Sequence, residues 1–241
     1  MNNPNGPYPG RQLFVGMTVD KSPALTYLVT GRSPQSRERV ATPIDDSIIM
    51  GPVGDRPYDP LRHYTAVKYD NSNGIAVVSN GIQTEAIFEA YRLLFNTDSP
   101  PTEDFLGKLL DGARAEPDSL HTPRIAAVIT GSGDGTLLYI VGIIRHDMPA
   151  RAIPVNPEPG ILVGVSTYQG DLENPKPFDP DAGLPELKFK GNTAEELARH
   201  LFDLSSAYHK GEDIRVCSIG GIRSGNDYRW ELSMINRLQD K

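Results

Sequence analysis

The chain has 241 residues, 38% hydrophobic and 23% charged, with 24 Lys and Arg against 31 Asp and Glu for a formal charge of −7. That balance predicts a globular chain and excludes broad nucleic-acid binding, which needs a basic face to release counterions, while leaving room for a small anion held by a few local arginines. The longest apolar stretch, LLYIVGII at 137–144, is far short of the roughly 20 residues that span a bilayer as a helix, and a lone cysteine excludes an internal disulfide framework and fits a reducing cytoplasm.

The first residues, MNNPNGPYPG, lack the basic region and apolar core of a secretory signal, so 1–9 is expected to be a short flexible leader. Four β-type runs follow: QLFVGMTV (12–19), ALTYLVT (24–30), HYTAVKY (63–69) and GIAVVSN (74–80). IQTEAIFEAYRLLF predicts a helix over 82–95, with Ile82, Ala86, Ile87, Ala90, Tyr91, Leu94 and Phe95 as its apolar stripe. TEDFLGKLLDG predicts a second over 102–112, with Thr102 as N-cap and Gly112 at its end. Strands RIAAVIT (124–130), TLLYIVGII (136–144) and ILVGVSTY (161–168) come next. NTAEELARHLFDLSSAYHKG predicts a third helix over 192–211. Thr193 and Glu196 are spaced as its capping box, Glu195 and Arg199 can pair, and Gly211 would close it. IRVCSIG (214–220) and DYRWELSM (227–234) complete the strands.

VDKSP, DNSNG, GSGDG and GGIRSGN read as turns between neighbours, which favours antiparallel hairpins. The Pro-rich stretches PVNPEPG (154–160) and ENPKPFDPDAGLP (173–185) read as surface loops. The expected fold is α+β, with two sheets face to face and helices outside, in a single domain over 10–241.

The histidines at 63, 121, 146, 200 and 209 show no metal-ligand spacing and no accompanying carboxylates, so no metal is expected; His200 and His209 fall on the last predicted helix. GSGDG (131–135) lacks the G-K-[ST] ending of a phosphate loop and sits between two strands, as a hairpin turn does. Cys217, inside an apolar run with no base beside it, is expected to be buried and inert. Three stretches can carry chemistry. In GRSPQSR (31–37), Arg32, Ser36 and Arg37 offer donors for a phosphate, although a solvated turn has the same composition. In SNGIQTE, Asn80 can read a ring edge where a strand passes into a helix, or Ser79 and Asn80 simply cap that helix. In AEPDSLHTPRIAA, Glu116 and Asp118 beside Arg124 can run acid–base chemistry, or are ordinary loop acids.

Taken in order, GRQLFVG (10–16), Arg32 to Arg37, Tyr64 to Lys68, VVSNGIQT (77–84) and TPRIAA (122–127) resemble the archaeal-type IMP cyclohydrolase family, as does GNTAEE (191–196) before the last helix. The chain departs from the family's compact members by additions near 145–160 and 170–188 and beyond the last helix. The resemblance implies an α-β-β-α sandwich similar to the N-terminal-nucleophile hydrolases. It implies cyclic-amidine hydrolase chemistry: closure of 5-formamidoimidazole-4-carboxamide ribonucleotide to IMP with loss of water, the last step of purine ring synthesis, with no cofactor. Under it, Arg32, Ser33, Ser36 and Arg37 would bind the phosphate end, and Lys68 is a weaker substrate contact. Asn80 and the Gly81 backbone would read the carboxamide, and Tyr64 would donate to the formyl oxygen. Glu116, with Asp118 as second choice, would move protons, and Arg124 would neutralise a carboxylate or touch the ligand. The expected partners are the nucleotide and further copies of this chain, with no nucleic acid and no membrane, in the cytoplasm. The alternatives are an amidohydrolase acting on a related ribonucleotide and a non-catalytic purine-nucleotide-binding protein.

Overall fold

The computed structural model describes residues 9–95, 97, 102–131, 136–170, 172–205, 208–209, 211–224 and 229–238. Strands β1 (Arg11–Met17) and β2 (Pro23–Thr30) form a hairpin, followed by the one-turn helix α1 (Pro34–Arg37). A meander of β3 (Arg39–Ile44), β4 (Ser47–Pro52), β5 (Tyr64–Asp70) and β6 (Ile75–Ser79) leads into helices α2 (Gln83–Phe95) and α3 (Glu103–Ala113). The meander resumes with β7 (Arg124–Gly131), β8 (Leu137–Arg145) and β9 (Met148–Val155). Then come β10 (Ile161–Ser166), a small ribbon of β11 (Tyr168–Gln169) and β12 (Lys176–Pro177), and β13 (Glu186–Lys188). Helix α4 (Ala194–Ser205), the ribbon β14 (Tyr208–His209) and β15 (Glu212–Asp213), and the long hairpin β16 (Arg215–Ser224) and β17 (Arg229–Asn236) complete the chain.

Two large antiparallel sheets result, with strand orders β13-β10-β1-β2-β16-β17 and β3 through β9 in sequence. The period-2 alternation of each strand feeds two cores, which is why the runs are apolar on both faces. Leu13, Val15, Leu25, Tyr27 and Val29 point inward against Ala76, Val78, Ile125 and Ala127 of the other sheet. The intervening Phe14, Ala24 and Leu28 pack outward on Leu197 and Leu201 of α4. On the far side Ile75, Val77, Ala126 and Val128 meet Ile87, Phe88 and Tyr91 of α2 and Leu106 and Leu110 of α3. The layers therefore run α-β-β-α, an α+β sandwich with no closed barrel. No described helix is long and apolar enough to cross a membrane.

Several expectations need correction. Strands β3, β4 and β13 and most of β9 lie in stretches for which no element was expected, while Pro154 and Val155 of β9 and the β12 strand Lys176–Pro177 fall in the stretches expected to be loops. Helix α4 ends at Ser205, short of Gly211. There Arg215 donates to the Phe202 carbonyl at 3.0 Å with its guanidinium 4.2 Å from the Phe202 ring, closing the last turn. Beyond it the chain turns into β14–β15, so Gly211, at φ 82°, serves that hairpin and His209 lies on a strand. The predicted stripe of α2 is rotated: Gln83, Thr84, Ile87, Phe88 and Tyr91 are buried, while Ile82 is 57% exposed. Thr102 makes no side-chain cap and Gly112 lies inside α3. The capping box does form, with Glu196 N–H donating to Thr193 Oγ1 and Thr193 N–H to Glu196 Oε2. The stretch predicted as leader (1–9) and the 132–135 turn lie largely or wholly outside the described residues, although β7 and β8 pair antiparallel up to Gly131 and Leu137.

Candidate active site

The segment after β2 folds back on itself. Ser33, extended at φ −93° and ψ 157°, caps α1 by accepting the Ser36 N–H on its Oγ at 3.1 Å, and Pro34 opens the turn with its φ already set. Gly31 is required by close approach, because a Cβ there would lie 2.7 Å from Arg37 Cγ and 2.8 Å from the Ser36 carbonyl carbon. This presents Arg32, Ser33 and Ser36 to one side, where β1 begins and β2 ends.

On that side lies a cavity of about 180 Å³. Four arginines line it: Arg11, Arg32, Arg39 and Arg62. Arg39 is 2% exposed and donates its Nε to the Ser36 carbonyl (2.8 Å) and its Nη1 to the Arg62 carbonyl (3.3 Å). No carboxylate pairs with it among the described residues. A buried cation held only by carbonyl dipoles makes a standing electropositive surface, which an anion can satisfy.

The same cavity carries two acids, Glu116 and Asp118. Glu116 is 2% exposed, with Arg11 Nη2 at 3.6 Å and Asn80 Nδ2 at 3.5 Å from its carboxyl oxygens. Burial raises its pKa above the ordinary 4.5, against the opposing pull of Arg11 and Arg124. Asp118 also lines the cavity, but both its oxygens accept from Thr122, at 2.7 Å from the backbone N–H and 2.6 Å from the hydroxyl. The Thr122 hydroxyl bonds the cavity-lining Tyr168 phenol at 2.5 Å. Asp118 thus fixes the loop that carries Glu116, whose N–H donates to the Thr122 carbonyl at 2.9 Å.

Behind Glu116 lies a buried polar layer. Asn80 Oδ1 accepts from Ile125 N–H (2.8 Å) and Gln83 Nε2 (3.1 Å), and its Nδ2 donates to the Pro123 carbonyl (2.9 Å). Arg124 Nη1 donates to Gln83 Oε1 at 2.9 Å, while its buried Nε has no partner. Gly81 makes room for that guanidinium, since a Cβ would stand 2.3 Å from Arg124 Nη1. The Tyr64 and Tyr27 hydroxyls share a 2.8 Å hydrogen bond between the sheets.

The structure thus brings Arg32, Ser33, Ser36, Glu116 and Asp118 to one cavity, with Asn80, Gly81 and Arg124 behind Glu116. Tyr64, Arg37 and Lys68 are not part of the cavity lining; the Tyr64 hydroxyl is bonded to Tyr27. Arg37 turns to the other side of its loop, and Lys68 pairs with Glu85 at 2.5 Å over the Phe88 ring, on the α2 side of its sheet. Arg11, Arg39, Arg62, Tyr27 and Tyr168 escaped the sequence reading. Arg39 follows Arg37 and Glu38 and opens the mixed run VATPI, so nothing local marks it as buried. Among the described residues no three His, Cys, Asp or Glu side chains are grouped to hold a metal ion.

An α-β-β-α sandwich carrying a cavity lined by four arginines and by the carboxyls of Glu116 and Asp118 sets cationic donors suited to a small anion beside a buried carboxyl. The chain belongs to the IMP cyclohydrolase-like protein family, whose pattern matches residues 8–227. The IMP cyclohydrolase of Methanothrix thermoacetophila is 30% identical over 233 residues, covering 95% of this chain and 98% of the relative. Those of Methanocella arvoryzae and Methanocaldococcus jannaschii are 28% and 29% identical, covering 96% and 89% of this chain and 100% and 94% of theirs.

Proposed function

We propose that this chain is an IMP cyclohydrolase, a hydrolase of the cyclic-amidine class that closes 5-formamidoimidazole-4-carboxamide ribonucleotide to IMP and water. The observation that carries the reading is the presence in one cavity of a buried arginine with no carboxylate partner among the described residues, Arg39, and a buried carboxyl, Glu116.

The carboxamide nitrogen attacks the formyl carbon, forming the new C–N bond as the formyl C=O electrons move onto oxygen. Glu116 accepts the carboxamide N–H proton and passes it to the oxyanion, giving a hydroxyl. The former formamide N–H then gives up its proton as the C–O bond breaks and the ring C=N forms, and Glu116 hands that proton to the departing hydroxyl, which leaves as water. A raised pKa suits both halves of that cycle, because it makes the carboxylate a better proton acceptor and keeps the acid form populated for the return step. Arg32, Arg39, Ser33 and Ser36 hold the phosphate end. Tyr64, backed by Tyr27, is assigned the hydrogen bond to the formyl oxygen. The amide of Asn80 is engaged by Pro123, Ile125 and Gln83, which makes it a positioning residue for Glu116 rather than a reader of the carboxamide. Holding both arms in a near-attack geometry supplies at most about 7 to 11 kcal/mol, and each donor to the oxyanion roughly 3 to 4 kcal/mol. The reaction moves protons and one water without redox or group transfer, so it balances without a cofactor. A purine-precursor substrate and a single cysteine support a cytoplasmic setting.

The test is to incubate the pure protein with the formamido ribonucleotide and follow IMP by its ultraviolet absorbance, with product identity checked by chromatography. Stoichiometric conversion to IMP is expected. Tight binding without turnover, or release of formate and the amine, refutes the assignment.

A further inference from the structure

We propose that Arg37 and Glu212 form a brace behind the phosphate loop, in which Arg37 acts as a positioning residue for Arg32. The inference rests on the assignment of that loop to the substrate phosphate.

Arg37 Nη1 donates to two carbonyls, those of Gly31 (3.4 Å) and Arg32 (3.2 Å). These belong to the two peptide planes flanking Arg32. Holding both fixes the backbone on either side of its Cα, and hence the direction in which its side chain leaves the loop toward the cavity. The aliphatic stem of Arg37 fills the space under Gly31, where a Cβ would meet Cγ at 2.7 Å, and the residue is only 9% exposed. The same guanidinium reaches back through Nη2 to Glu212 Oε2 at 2.5 Å. Glu212 lies on β15, and two residues further on the Ile214 carbonyl accepts the Gly31 N–H at 2.8 Å. The segment 212–214 therefore grips the loop twice from the side away from the ligand, once through the main chain and once through the ion pair.

The two contacts differ in kind. The Glu212 side chain is 66% exposed, so solvent and salt screen its share. The carbonyl contacts at Arg37 are part-buried or buried and are less sensitive to salt. Arg37 touches neither cavity nor ligand. Its loss loosens a substrate-binding element that is used equally in ground and transition states, which raises KM and leaves kcat alone.

Arg37→Met keeps the stem and deletes the donors. It is expected to raise KM for the formamido ribonucleotide about tenfold with kcat within about twofold, as loss of a charged-group hydrogen bond predicts. Arg37→Lys, which can still reach a carbonyl, should recover part of that loss. Glu212→Gln should raise KM by about two- to threefold at low salt and match the wild type near 0.5 M salt, where the Debye length is only a few ångströms. Titration with IMP and with inosine isolates the phosphate: the IMP-to-inosine affinity ratio should fall in Arg37→Met because IMP binding alone weakens. A variant that keeps the wild-type ratio and KM, or loses kcat at unchanged KM, overturns the brace while leaving the phosphate assignment standing. A wild-type protein that does not discriminate IMP from inosine overturns the assignment itself. Should Arg37→Met not fold, as read by circular dichroism, Arg37→Lys and Glu212→Gln carry the same comparison.

Discussion

Replacing Arg39 by Met tests the cavity most directly, because its two consequences fall in different observables. Among the described residues, two of the five N–H groups of this guanidinium reach a protein acceptor, the Ser36 and Arg62 carbonyls at 2.8 and 3.3 Å. The remainder are available to a ligand, and a charge-assisted hydrogen bond contributes about 1.5 to 3 kcal/mol. At 1.4 kcal/mol per decade, affinity for IMP should drop about 10- to 150-fold. Stability behaves differently. Removing a buried cation that lacks a carboxylate relieves a desolvation cost of several kcal/mol, whereas the two carbonyls lose donors at roughly 1 to 3 kcal/mol each. These oppose each other, and the ligand-free variant should unfold in urea within about 2 kcal/mol of the parent. Isothermal titration with IMP and inosine at fixed salt, beside the urea curves, reads both. Affinity for IMP unchanged within twofold, or an equal loss for inosine, would refute the anion-site role of Arg39.

Three further tests follow from the geometry. Glu116→Gln should lower kcat by at least about 100-fold with little change in KM, as expected for a general acid–base. The acid limb of wild-type kcat/KM should lie above pH 4.5, since burial raises this carboxyl. Linkage sets the stability sign: a raised folded pKa means stability is fully present below 4.5 and is lost as pH rises through the folded value, so the Gln variant should be the more stable at neutral pH, and a less stable variant contradicts the raised pKa. Gly81→Ala inserts a Cβ 2.3 Å from Arg124 Nη1 and 2.6 Å from Gln83 Oε1, which should cost about 1 to 3 kcal/mol and most of the activity; chemical denaturation and the IMP assay would expose a harmless substitution. Cys217 is fully buried, with its thiol pushed up to about 12, so a maleimide should leave the native protein unlabelled and react only after unfolding.

What the sequence made legible follows from what each residue faces. β1, β2, β6 and β7 lie between two apolar layers, so their composition alone announced them. β3 and β9 are the outer strands of the seven-stranded sheet and carry Pro43, Pro149 and Pro154, which an edge tolerates and a loop resembles. The face of α2 was misjudged because Gln83 and Thr84 are buried for polar reasons: one holds Arg124 and Asn80, the other bonds Ser79. Arg32, Ser33, Ser36, Glu116 and Asp118 could be picked out because chemistry-bearing residues cluster locally. Arg11, Arg39 and Arg62 converge only through long-range pairing, which one-dimensional spacing does not carry. Arg37 and Lys68 are the converse, since residue type suited a ligand while the fold gave each an internal partner.

The buried charge of Arg39 bears on how long the protein lasts. An anion bound at Arg39 would neutralise a buried charge that otherwise rests on carbonyl dipoles, so occupancy would stabilise the fold as well as serve the chemistry. A ligand at 100 times its Kd adds about 2.7 kcal/mol to the folded state. Copies that idle without nucleotide would open and meet proteases more often than working ones, and abundance would track the supply of purine precursor without any dedicated regulator.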